Sequence, residues 1–153
     1  MNQSKPDEFY MLAALAQARV AGDAEEVPIG AVIVHEDRII ARAHNQVELL
    51  NDATAHAEML ALTQASSAIG DWRLNDCTLY VTKEPCPMCS GAIMLSRVSR
   101  VVFGVADPVR GGAMSLFNIL DNPSLNHRCD ITHGVSEEEC RQILQEFFRA
   151  KRS

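Results

Sequence analysis

Two short stretches hold side chains that could do chemistry together. In "TAHAEMLAL", His56 and Glu58 stand two residues apart at the start of an apolar, helix-like run. In "EPCPMCSG", Cys86 and Cys89 form C-x-x-C, with a proline on either side of Cys86. Cysteine and histidine together suit zinc. At i, i+3 on a helix, the two sulfurs share one face. With Pro87 in the first helical turn, both thiols lie at a helix N-terminus, where the dipole favours thiolate. His56 likewise falls in the first turn of its own helix, so two facing N-termini would gather the three ligands. Cys77, Cys129 and His127 are the spare candidates for a fourth ligand, and none has a second ligand at short spacing. Structural zinc sites are usually closed by four protein ligands, whereas catalytic ones keep a position open for water. Three ligands beside Glu58 therefore favour metal-assisted hydrolysis, with Glu58 handling the proton.

The two-residue spacing locates the site. Residues two apart on an ideal helix point to nearly opposite sides. His56 and Glu58 can address one centre only if it lies at the helix end. C-x-x-C alone is equally compatible with redox chemistry, but that reading leaves His56 and Glu58 without a role.

Those residues need elements to hold them. "DEFYMLAALAQARVAG" has apolar residues at helical spacing and can end at Gly22. Two β-branched runs, Ala31–Val34 and Arg38–Ala43, flank the turn "HED" and read as a hairpin. Asp52 or Thr54 is expected to cap the next helix, which runs to about Ala68. "CTLYVTKE" reads as a strand, "CPMCSGAIMLSR" as a helix with Pro87 near its start, and "RVVFGV" as a strand. A glycine-rich loop, "ADPVRGGAMS", leads to a short helix expected in "SLFNILDN". "RCDITHG" is a last strand. "SEEECRQILQEFFRAKRS" is a closing helix, for which Ser136 and Glu139 make a capping box. Strands alternating with helices after a hairpin predict an α/β layer fold on a mixed sheet.

At 153 residues and 47% hydrophobic, the chain reads as one globular domain with a real core. No apolar run reaches the 18 residues of a membrane span, and "MNQSKPDEFY" lacks a signal pattern. A soluble, cytoplasmic protein is the expectation. The formal net charge of −6 argues weakly against nucleic acid, yet "SRVSR" and "FFRAKRS" are locally basic. Five cysteines, an odd number, do not form a disulfide framework, and the three outside C-x-x-C are expected in the core.

H-x-E followed by P-C-x-x-C is the signature of the zinc nucleobase deaminases. Over nearly its whole length the chain resembles the tRNA-specific adenosine deaminases among them. The matching segments are "VPIGAVIV", His44–Asn45, "TAHAEMLAL", "LYVTKEPCPMCSGAIMLSRVSRVVFG", "NHR" at 126–128 and "EFFRAKR". Cytidine, guanine and deoxycytidylate deaminases share the zinc signature. The opening motif, the "FG…D…GG" loop and the "FFR" tail lean to the tRNA enzymes.

The resemblance implies a three-layer α/β/α sandwich of the cytidine-deaminase type with a mixed five-stranded sheet. It implies a homodimer with one zinc per subunit, held by His56, Cys86 and Cys89. The implied reaction converts adenosine to inosine at the wobble position of a tRNA anticodon. Glu58 would take a proton from water, give one to the ring nitrogen and later protonate the departing ammonia. Asn45 would hydrogen-bond the flipped base, and the Ala57 backbone would touch it. Asp107 would reach a ribose hydroxyl, the group that separates RNA from DNA. Arg149, beside Phe147 and Phe148, would contact the RNA. Three positions depart from the family pattern. Ala53 stands where proline is frequent, Val109 where lysine is usual, and Met114 where glycine is usual, with Arg110 a possible substitute for that lysine. Two other readings stay open: a deaminase of a free base or nucleoside such as guanine or cytosine, and a non-catalytic, zinc-stabilised RNA-binding subunit. Glu58 argues against the latter.

Overall fold

The computed structural model describes residues 5–152; residues 1–4 and 153, the extreme ends of the expected domain, lie outside them. In chain order the elements are α1 (Asp7–Asp23), β1 (Gly30–His35), β2 (Arg38–His44), α2 (Val47–Leu50), α3 (Ala57–Ile69), β3 (Cys77–Lys83), α4 (Pro87–Leu95), β4 (Arg100–Val105), β5 (Asp130–His133) and α5 (Glu137–Arg152). The strands form one mixed sheet in the order β2-β1-β3-β4-β5. β1 is antiparallel to β2 and β3, while β3, β4 and β5 run parallel.

Period-two alternation splits the strands' apolar residues between two cores. Ala31, Ile33, Leu79, Val81, Val101 and Phe103 face the layer of α3 and α4. Val32, Val34, Tyr80 and Val102 face the layer of α1 and α5. This is the expected three-layer α/β/α sandwich. No helix among the described residues is long and apolar enough to cross a membrane.

Local chemistry sets the joints. Glu36 and Asp37, with φ of 51° and 61°, make the two-residue loop between His35 and Arg38. Two successive left-handed residues match the right-handed twist of a hairpin. α1 lies so close to the start of β1 that a Cβ at Gly30 would overlap the Ala14 carbonyl oxygen. α1 runs one residue past Gly22, to Asp23.

Two local expectations fail and one element is unforeseen, each for a physical reason. The stretch 115–122 holds turns, not a helix. There Asn118 Nδ2 donates to the Asp121 carbonyl and Asn118 Oδ1 accepts the Asp121 N–H, so the side chain takes the bonds a helix would need. Ser136 has φ 51°, not the extended backbone from which a capping-box hydroxyl reaches the third helical residue. α2 was not expected. Its Glu48 and Leu49 N–H groups donate to the buried Glu26 carboxylate at 2.9 and 2.7 Å, a long-range contact that sequence periodicity does not carry.

Asp7 fastens α1 to the sheet. It accepts both Arg100 guanidinium nitrogens at 2.9 and 2.7 Å and the Tyr80 hydroxyl at 2.8 Å. Arg100 also donates to Thr132 Oγ1 on β5. The Arg100 hydrogen bonds hold the Asp7 carboxyl below its ordinary range, against the opposing push of burial. A depressed folded pKa contributes stability that is present above the unfolded value near 3.8 and lost as pH falls through the folded one. Asp7→Asn is therefore expected to cost about 1–2 kcal/mol at neutral pH, as a partly exposed charged hydrogen bond does. Urea unfolding should show that gap at pH 7 and close it towards pH 2. A gap independent of pH would assign the effect to packing.

Candidate active site

Sheet topology brings several chain ends together. Gly30 pairs with His44, Ala31 with Val81, and Lys83 with Val105. The C-terminal ends of β2, β3 and β4 thus lie at one edge with the start of β1. The chain leaving β2 and β3 feeds α3 and α4, so both helices begin at that edge.

Each helix starts on a residue of a His-Cys-Cys group that could hold a metal. His56 is the N-cap of α3, with φ −77° and ψ 153°, and its carbonyl accepts the Leu60 N–H. Cys86 is the N-cap of α4, with φ −71° and ψ 172°, and Pro87 takes the first helical position. Extended backbone at both joints turns the imidazole and the thiol out of the helical path. Asp52 and Thr54 do not cap α3 as expected. Asp52 Oδ1 instead accepts the Thr54 N–H and hydroxyl, both at 2.8 Å, in the turn before the helix. His56 accordingly precedes the first turn, not within it.

The three donors converge. Among the described residues, the group of His, Cys, Asp and Glu able to hold a metal is His56, Cys86 and Cys89, whose ligand atoms all lie within 4.8 Å of one another. His56 Nδ1 stands 3.6 Å from Cys86 Sγ and 3.4 Å from Cys89 Sγ. Tetrahedral zinc, with bonds of about 2.3 Å to sulfur and about 2.0 Å to nitrogen, would set that separation at about 3.6 Å. The donors therefore fit a zinc-sized ion. The Ala53 backbone adds a small push towards the protonated imidazole. The spare candidates stay away: Cys129 Sγ and His127 Nε2 both lie against the Val98 carbonyl, and Cys77 Sγ is 3.7 Å from His35. Among described residues no fourth protein ligand closes the site.

Charge at this edge is shared. Hydrogen bonding from Cys89, then from His56, brings the Cys86 thiol down to about 4. The same bond, with burial, pushes Cys89 up. Contact with Cys86 raises His56. Glu58, the second residue of α3, is 4% exposed, and burial lifts its carboxyl to about 7. The arrangement holds an anionic sulfur, a proton-accepting imidazole and a protonatable carboxyl at one point.

A cleft of about 840 Å³ opens above them, and His56, Ala57, Glu58 and Cys86 line its floor. Asn45 is buried in one wall, its Nδ2 donating to the Val27 carbonyl at 3.4 Å. Ala57 is the first residue of α3, so its N–H has no acceptor within the helix. Asp107 and Arg110 come from the glycine-rich loop. Asp107 is already committed: Oδ1 accepts the Val109 and Arg110 N–H groups, and Oδ2 pairs with Lys83 Nζ at 3.0 Å. Arg149 is not brought to this cleft. It lines a neighbouring hollow with Asp107 and Phe148, because the α5 face turned to the cleft carries Phe147, Phe148 and Lys151.

Sequence reasoning missed two cleft carboxylates, Glu26 and Glu84, both buried. Burial alone would raise Glu84. Hydrogen bonds from Ser115 and from the Asp107, Met114 and Ser115 N–H groups outweigh it and hold the carboxyl below its usual range. The one available signal was an acidic residue directly before the ligand motif, in "KEPC".

A mixed sheet with two helices aiming their N-termini at a His-Cys-Cys set, beside a buried glutamate, defines a deaminase architecture. The chain belongs to the MafB19-like deaminase family, whose profile matches residues 5–152, and among the deaminases to the tRNA-specific adenosine deaminases. It is 51% identical to the tRNA-specific adenosine deaminase of Bacillus subtilis (strain 168) over 95% of its own length and 91% of that protein's. It is 48% identical to that of Aquifex aeolicus (strain VF5), over 95% and 96%. Its fold matches a solved chain from work on A-to-I editing by tRNA:A34 deaminases at the wobble position of transfer RNA, with TM-score 0.86 and 43% identity, over 89% of this chain and 99% of that one.

Replacing His56, Cys86 or Cys89 singly with alanine should abolish stoichiometric metal and lower stability, since metal binding couples to folding. The linked loss is about 4 kcal/mol when free metal stands a thousandfold above its Kd. Elemental analysis and thermal unfolding check this, with Cys77→Ala as the control that keeps its metal.

Proposed function

We propose that the protein is a zinc-dependent hydrolase that converts adenosine to inosine at the wobble position of tRNA anticodons. The observation that carries this is the buried Glu58 carboxylate beside His56, Cys86 and Cys89, at the floor of a cleft roomy enough for a nucleotide. The relatives named above support the tRNA substrate. Bound zinc, held by His56, Cys86 and Cys89, would supply the Lewis acidity that makes water a nucleophile at neutral pH.

The protein's own groups do the rest. Glu58 takes a proton from water and delivers one to the ring nitrogen beside the reacting carbon. It then takes the second proton, from the hydroxyl now on that carbon, and passes it to the leaving amine, so that adenosine and water give inosine and ammonia. A carboxyl raised towards neutrality by burial suits both directions of transfer. Asn45 and the Ala57 backbone hold the flipped base. Asp107, whose Oδ2 keeps one lone pair beyond its Lys83 pairing, meets a ribose hydroxyl. Phe147 and Phe148 offer ring faces at the cleft mouth, with Lys151 and Arg110 beside them for phosphates. Arg149 meets the RNA backbone from the adjoining hollow. The protein works as a homodimer with one zinc per subunit, in the cytoplasm where its substrate is.

A synthetic anticodon stem-loop with a wobble adenosine tests this, beside a panel of free bases and nucleosides. Inosine should form in the stem-loop, and Glu58→Ala should keep its metal while losing about 10³-fold or more in rate. Full residual activity would remove Glu58 from its role. Stem-loop binding should weaken as salt rises, because phosphate contacts release counterions. Salt-independent binding, or turnover confined to free bases, would favour a small-molecule substrate.

A further inference from the structure

Glu84 is a carboxylate at 3% exposure with no part in the proton transfers above, yet it is among the most heavily bonded side chains in the molecule. Its Oε1 accepts the Asp107 N–H at 3.0 Å and the Ser115 hydroxyl. Its Oε2 accepts the Met114 and Ser115 N–H groups, each at 2.9 Å. These donors come from both ends of one loop, residues 107–115. The loop is pinned again next door, where the Gly112 N–H donates to the Pro85 carbonyl at 2.8 Å. It passes so near Glu84 that a Cβ at Gly111 would overlap the carboxylate. Glu84 itself stands between Lys83, which pairs with Asp107, and the turn into α4.

The loop presents Asp107 and Arg110 to the cleft wall. A free 107–115 segment, with two adjacent glycines, would sample many conformations. We infer that Glu84 is a positioning residue: its carboxylate clasps both ends of the 107–115 loop and so fixes Asp107 and Arg110 at the RNA-facing wall of the cleft. This rests on the tRNA reading given above. Four donors from three residues demand an acceptor-only group with two oxygens, and at this spot only a carboxylate supplies that. Glutamine has the same size and lacks the second acceptor. Whichever way its amide turns, the NH₂ meets at least one backbone N–H of the loop.

The test uses full-length, metal-loaded protein. Glu84→Gln should keep one metal per chain and raise KM for the anticodon stem-loop by about tenfold, the scale of one lost buried acceptor, with kcat changed by less than about threefold. Amide hydrogen exchange in 107–115 should quicken while that of α3 stays as in the wild type. Ser115→Ala, which removes one bond and leaves the carboxylate in place, should shift KM and loop exchange the same way by a smaller factor. Unchanged KM, or a loss confined to kcat, would overturn the proposal, as would a lowered Tm with kinetics intact. If the wild type leaves the stem-loop unmodified, the tRNA reading fails. The exchange arm then still decides this inference, since unchanged exchange of 107–115 in Glu84→Gln overturns it.

Discussion

The N-termini of α3 and α4 meet at the His56–Cys86–Cys89 cluster, and two positive dipole ends so close repel one another unless negative charge lies between them. The Cys86 thiol, driven towards thiolate, and the Glu58 carboxyl lie at that meeting point. A divalent ion held there by two thiolates and an imidazole would leave the site near neutral. The rest of the architecture serves this approach. Antiparallel pairing of β1 with β2 and β3, and parallel pairing of β3 with β4, put the starts of both helices at one edge of the sheet. The apolar cores on the two faces then hold the helices against the sheet.

Around the cluster, buried carboxylates do what backbone alone cannot. Glu26 satisfies two N–H groups of α2 and keeps the segment between β2 and α3 folded. Glu84 satisfies three N–H groups and a hydroxyl of the glycine-rich loop. Asp107 closes that loop on itself. Irregular backbone next to a cleft exposes polar groups that must find partners, and each unsatisfied one costs about 1–3 kcal/mol. Acidic side chains meet that need with fixed geometry, leaving the cleft walls defined before a substrate arrives. A preformed wall avoids ordering costs at the moment of binding.

Much of this was legible in the residues themselves. His56, Glu58, Cys86 and Cys89 carry their chemistry in type and spacing, and their two-residue and three-residue separations already placed the centre at helix ends. The two β-branched runs on either side of "HED" predicted a hairpin, which β1 and β2 form. The unread parts depend on contacts distant in sequence. Glu26 and Glu48 are 22 residues apart, and Glu84 and Ser115 are 31 apart. No local pattern distinguishes such a carboxylate from a solvated one. Asp52 and Thr54 looked like caps because they are good cap types, but the chain spends them on a turn so that His56 can stand at the helix mouth. The resemblance of the "FFR" tail puts Arg149 with Phe147 and Phe148, while helical spacing turns it towards the next hollow.

Two helix starts offer a metal three protein ligands and, among the described residues, no fourth. X-ray absorption at the zinc edge of the metal-loaded protein measures this directly. The account predicts two sulfur scatterers at about 2.3 Å and two lighter ones, one of them imidazole, at about 2.0–2.1 Å. Three or four sulfurs, or a second imidazole, would mean that another protein side chain closes the site, and would contradict it.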